Sequence, residues 1–137
     1  MKKSQWLLLA IEETVQPIQL QKILFKFAKE SGVPDEETYK FSPYDWGPCS
    51  FEIYADLEEA RNDGLVEAVP SGRGWNMYRL TRLGASAAAA VRKRADKELI
   101  RSLHGIREWV TSRDFQTLLR DVYEAYPEYA TQSLFMK

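Results

Sequence analysis

The sequence is short of the residues that most often carry chemistry. Of its 137 residues, one is cysteine and one is histidine. A single cysteine excludes an internal disulfide framework, so nothing here requires an oxidising compartment. One cysteine and one histidine cannot make a protein-only zinc site. Cys49 follows Pro48 near an expected helix start, and it would act as a nucleophile with His104 only if the fold joined them. A small packed cysteine is the simpler expectation. Gly72-Arg73-Gly74 lies between two expected strands, not between a strand and a helix, so it is no phosphate loop. No apolar run approaches the ~20 residues of a membrane span. The run at 6–11 is too short for a secretory signal, and no small-residue cleavage site follows it. These absences point to a cytoplasmic, non-enzymatic protein with no cofactor, no metal and no membrane partner.

What is present is ordinary globular material. Hydrophobic residues make up 45% and aromatics 12%, enough to build one core in a chain of this length. The formal net charge is −1, which hides a separation. Residues 12–63 hold twelve acids against five bases, a net of −7. Residues 68–95 hold no acid and six bases: Arg73, Arg79, Arg82, Arg92, Lys93 and Arg94. Charge divided in this way predicts two faces with different neighbours.

Apolar periodicity predicts a helix over 4–14 and a second opened by Pro17. Ile18, Leu20, Ile23, Leu24, Phe27 and Ala28 form the second helix's buried stripe, with Lys22, Lys26 and Lys29 on the other side. Residues 38–41 read as extended. Two prolines and a glycine in 42–50 forbid a continuous helix there, and Tyr44 and Trp46 are expected to pack that loop onto the core. A third helix starts at Pro48 or Ser50 and runs to about 63. Strands over 65–69 and 75–80 flank a Gly-rich turn, and Thr81 caps a helix over 82–95. Two more helices follow, one carrying Leu99, Leu103, Ile106 and Val110, the other spanning 114–126.

The expected fold is therefore mainly α with a small β-hairpin: a winged helix-turn-helix-like core at 4–95 and a C-terminal helical hairpin at 97–126, within a single domain of 1–137. The apolar stripe of that C-terminal hairpin predicts a homodimer formed through it.

Two segments carry a resemblance. Tyr78-Arg79-Leu80-Thr81-Arg82-Leu83-Gly84 resembles the Tyr-x-Leu-Thr-x-x-Gly ending of many bacterial winged-helix wings. Tyr39-Lys40-Phe41-Ser42-Pro43-Tyr44-Asp45-Trp46-Gly47-Pro48-Cys49-Ser50 looks like the Tyr-x-Phe-x-Pro-Tyr-x-Tyr/Trp-Gly-Pro-Phe-Ser segment of a poorly characterised bacterial winged-helix family related to Panacea-type antitoxin domains. Asp56-Leu57-Glu58, Asp63-Gly64-Leu65-Val66 and Tyr126-Pro127-Glu128-Tyr129-Ala130 extend the likeness over most of the chain. Cys49 departs from the pattern, which has an aromatic there. The resemblance implies DNA-linked regulation or neutralisation of a partner protein, and carries over no catalytic residue.

Two functions follow as expectations. One is a DNA-binding regulator that meets duplex DNA through Arg73, Arg79, Arg82, Arg92, Lys93 and Arg94. The other is an antitoxin-like or accessory module whose acidic third helix, through Glu52, Asp56 and Glu59, contacts a basic partner protein. DNA carries one negative charge per ~1.7 Å of duplex, so that helix is a poor partner for it and the wing must supply the binding.

Overall fold

A computed structural model describes residues 1–135 of the chain. The described residues form six helices and two small antiparallel hairpins: α1 (Lys3–Ala10), α2 (Pro17–Glu30), β1 (Ser42–Tyr44), β2 (Gly47–Cys49), α3 (Phe51–Asn62), β3 (Val66–Pro70), β4 (Asn76–Leu80), α4 (Arg82–Arg94), α5 (Lys97–Thr111) and α6 (Phe115–Ala125). Short 3-10 turns cover Asp35–Glu37 and Pro127–Ala130. Among these residues, no helix is long and apolar enough to cross a membrane.

α2 is the axis of the molecule. Gln16 caps it, its backbone N–H donating to the Gln19 side chain at 3.0 Å, and Pro17 supplies the first helical residue. Every residue from Leu20 to Phe27 is buried. Lys22 and Lys26, on the side opposite the expected apolar stripe, are therefore buried as well. α5, α6 and the β1–β2 hairpin cover the side of α2 that carries them. Lys26 reaches Glu30 at 2.9 Å and lies 3.9 Å from the centre of the Trp109 ring, so its charge is compensated. Lys22 has no such compensation.

α1 is shorter than its apolar pattern suggests, because the chain turns out after Ala10 to place Val15 beside β4. Val15 and Tyr78 exchange both backbone hydrogen bonds at 2.9 Å, adding a third extended segment to the β3–β4 ladder. In that ladder Val66 pairs with Leu80 and Pro70 with Asn76. Thr81 then caps α4 by accepting the Gly84 N–H at 3.0 Å. Gly84 is required here: a Cβ would sit 1.8 Å from the Leu65 carbonyl oxygen.

One core joins α1, α2, α3 and α4 to α5 and α6, with Trp6 and Phe27 stacked at a tilt, 4.8 Å between ring centres. The stripe Leu103, Ile106, Val110, Leu118 and Val122 belongs to this core. The C-terminal helices thus complete the fold, and most of the apolar stripe expected to make a dimer is covered within the chain, with Phe115 left exposed.

Candidate functional site

The six basic residues are not brought together. Arg73 is exposed at the tip of the β3–β4 turn, where its N–H donates to the Ser71 hydroxyl at 3.0 Å. Arg79 stands in register opposite Glu67 and forms an ion pair with it. Arg82 opens α4 at the other end of the ladder, so five paired positions, roughly 15 Å of strand, separate it from Arg73. Arg92, Lys93 and Arg94 occupy the last turn of α4, where positive charge complements the helix dipole. All three are exposed.

The acidic set is dispersed as well. Glu52 pairs with Lys3 at 2.7 Å, and Asp56 accepts a hydrogen bond from the Tyr39 hydroxyl at 2.7 Å. Burial, then that bond, pushes the Tyr39 phenol far up. Glu59 is exposed, on the rim of a shallow cleft floored by Leu7, Leu8 and Val91. Two of the three acids therefore already hold the fold together.

Cys49 and His104 have different neighbours. His104 is exposed on α5, 3.3 Å from Glu12. Cys49 ends β2 beside Lys22, and burial pushes its thiol up, against the direction a nucleophile needs. Among the described residues, no group of three or more His, Cys, Asp or Glu side chains could hold a metal ion.

The feature that sequence reasoning missed is an aromatic groove. Residues 42–49 are not a loop packed on the core but a hairpin whose turn is Asp45-Trp46. Its register sets Pro43 against Pro48, and the Gly47 backbone is left-handed, with φ +92°. A Cβ on Gly47 would also press to 3.2 Å from the Tyr123 ring. The turn projects outward, so the expectation that Tyr44 and Trp46 are core residues is corrected. Trp46 is 42% exposed and Tyr44 is 39% exposed.

Around them stand Phe51 and Tyr54 on the first turn of α3, Trp75 on the β3–β4 turn and Phe115 at the start of α6, all exposed. Phe51 meets Tyr44 edge-on at 5.0 Å, and Phe115 meets Trp46 edge-on at 5.5 Å. Between these rings runs a groove of about 690 Å³, bounded by Pro17, Tyr54, Arg73, Trp75, Phe115 and Leu118. Beyond Ile18, Trp46 and Tyr54 it continues into a smaller pocket of about 260 Å³. The walls of that pocket are Tyr44, Trp46, Phe51 and Tyr54, and Lys22 and Cys49 line it too.

The groove's floor is fixed from α2. The Gln21 side chain donates to the Ser50 carbonyl at 2.9 Å and accepts the Ser50 N–H at 2.8 Å, which ties the start of α3 to α2. One turn along from Ile18, Lys22 is 2% exposed and donates to the Pro48 carbonyl at 3.1 Å. Burial pulls its ammonium down from 10.5 to about 8.

The chain matches no protein family, no characterised protein and no solved structure in the comparisons made.

Proposed function

We propose that this chain is a non-enzymatic winged-helix module that binds a partner protein, and that the partner docks in the aromatic groove between α3, the wing and α6. The order α1, the Val15 strand, α2, α3 and the β3–β4 hairpin supports a winged-helix reading, in line with the family resemblance of the 39–50 and 78–84 segments. The observation that carries the binding reading is the cluster of exposed rings. Tyr44, Trp46, Phe51, Tyr54, Trp75 and Phe115 sit together on one face. Monomeric proteins rarely leave such apolar patches open unless something binds them, and Trp, Tyr and Arg are the residues that dominate binding energy at protein interfaces. Arg73 at one end and Lys22 at the other are cations with no carboxylate within ion-pair distance among the described residues. The groove therefore suits a segment that carries large apolar side chains, with negative charge set against Arg73 or Lys22 and clear of Asp114 and Asp45, which also line it.

Duplex DNA is the second reading, and exposed Arg73, Arg82, Arg92, Lys93 and Arg94 favour it. Three observations weigh against it. The cations lie at separate places, Arg79 is held by Glu67, and α3 presents Glu58, Glu59 and two aromatics outward.

One experiment separates the two. The chain and its Trp46→Ala/Trp75→Ala variant are immobilised and exposed to host extract treated with nuclease, and the same two proteins are titrated with duplex DNA at low salt. A nuclease-resistant protein retained by the native chain and lost by the variant supports the groove. A duplex shift that weakens steeply with salt and needs Arg73, with no groove-dependent protein, overturns it in favour of DNA.

A further inference from the structure

We propose that the small pocket recognises the C-terminal residue of the partner chain, with that residue's apolar side chain among the rings and its free carboxylate on Lys22. This rests on the groove being a protein-binding site and names what enters its smaller end.

The argument starts at the Lys22 nitrogen. An ammonium carries three N–H donors. Here one is used, by the Pro48 carbonyl, and no carboxylate stands within ion-pair distance among the described residues. A charge taken out of water in this way is costly unless an anion meets it. Lys26, one turn along the same helix, shows what compensation looks like: it has Glu30 and the face of Trp109.

The groups around Lys22 do not supply the missing charge. Cys49 is held neutral, because burial pushes its thiol up. Tyr44 and Tyr54 offer phenols from the pocket wall, and burial raises that of Tyr54. Tyr123, behind Gly47, donates its hydroxyl to Ser133. Asp45 lines the pocket from the turn, outside ion-pair distance. At neutral pH Lys22 is still mostly protonated, since burial leaves it near 8.

The shape then selects among carboxylates. Aromatic walls and the cation share one volume of about 260 Å³. The occupant must present an apolar side chain and a carboxylate together. An internal Glu or Asp gives the carboxylate and leaves the rings without a large apolar partner. A chain end gives both from a single residue. The residues before it leave through the larger groove, past Trp46 and Tyr54 towards Trp75 and Arg73.

The test compares N-acetylphenylalanine as its free acid with the same compound as its carboxamide, each titrated into the full chain and followed by NMR. The free acid should bind at least about ten-fold more tightly, the gain typical of a charge-assisted hydrogen bond. That preference should vanish in Lys22→Met. The Lys22 ε-carbon shift provides a second readout in the native chain, which holds even if the variant fails to fold. Free acid should move the lysine's titration midpoint upward, and carboxamide should leave it in place. Equal binding of acid and carboxamide overturns the carboxylate anchor while leaving the groove as a docking site. No binding of either, or no movement of the midpoint with acid, also overturns the anchor. Partner capture that is equal for the native chain and the Trp46→Ala/Trp75→Ala variant, or absent from both, is the separate result that overturns the docking site itself.

Discussion

Burying the Lys22 ammonium without a counter-ion weakens the fold, and the effect has a definite sign against pH. Its folded value is about 8 and its ordinary value 10.5. Between those two values the unfolded chain keeps a proton that the folded chain releases, so stability rises with pH across that window. The penalty is complete below about 8. Cys49, Tyr54 and Tyr123 act in the opposite sense, since burial raises each of them, and stability falls where the unfolded chain alone loses those protons. The two trends separate in a comparison with Lys22→Met, followed by urea denaturation. The variant should be the more stable at pH 7, and its advantage should shrink by about 3 kcal/mol by pH 10.5. An advantage that stays constant with pH would show that the ammonium pays no desolvation cost. The tryptophans give a second contrast at this scale. Trp6 is 1% exposed and stacked on Phe27, whereas Trp46 stands at a turn. Trp6→Ala should cost about 3–5 kcal/mol. Trp46→Ala should cost only about 1 kcal/mol, for its partial contact with Phe115. Equal losses in thermal melts would place the Trp46 ring in the core.

The elements differ in how they are held. α4 is specified locally: Thr81 supplies its cap, Gly84 lets it approach Leu65, and its alanines favour helix. The β3–β4 ladder has residues 71–75 as its turn, with Ser71 bracing it by donating to the Trp75 carbonyl at 2.7 Å. Both were legible in the sequence. The β1–β2 hairpin was not. Its strands are three residues long, pair proline with proline, and show no alternation of apolar and polar residues. It is held from outside, by Lys22, by Tyr123 and by the Leu134 N–H donating to the Asp45 carbonyl at 2.9 Å. Gln21 anchors the residue that follows it. Gln21→Ala leaves the Ser50 N–H buried without a partner, while the Ser50 carbonyl keeps the Ile53 N–H at 3.2 Å, and should cost about 1–3 kcal/mol. Chemical denaturation measures that loss. Amide exchange at Ser50 should accelerate in step with it, and a protected Ser50 amide in the variant would reject the clamp.

At the scale of the whole molecule, α5 and α6 are part of the core and not an appendage to it. They close the side of α2 that α1 and α3 leave open, where Lys26 meets Trp109 of α5. Residues 1–95 alone should therefore fail to fold cooperatively, although they contain α1 to α4 and both hairpins. A broad, non-cooperative melt and poor amide dispersion are the expected results for that fragment. A sharp transition would show that α5 and α6 are dispensable. The charge separation along the sequence is real in composition but is not one basic face in space, because the tip of the β3–β4 hairpin and the end of α4 are different places and Glu67 takes up Arg79.

Composition, periodicity and capping determined much of this protein without reference to tertiary contacts. They indicated a mainly helical chain, the β3–β4 hairpin and the starts of α2, α4, α5 and α6, because a cap or an amphipathic stripe acts within a turn or two of its own residues. They could not decide which side of α2 meets water, or whether Tyr44 and Trp46 point inward. A lysine on a polar-looking face is buried only if a distant segment closes over it. Here α5, α6 and β2 do so from 25 to 103 residues beyond Lys22 along the chain. The groove has the same origin. Its rings come from the first hairpin, α3, the second hairpin and α6, and each is unremarkable among its sequence neighbours. Only the packing of those elements around α2 leaves the rings uncovered together, with one uncompensated ammonium beneath them.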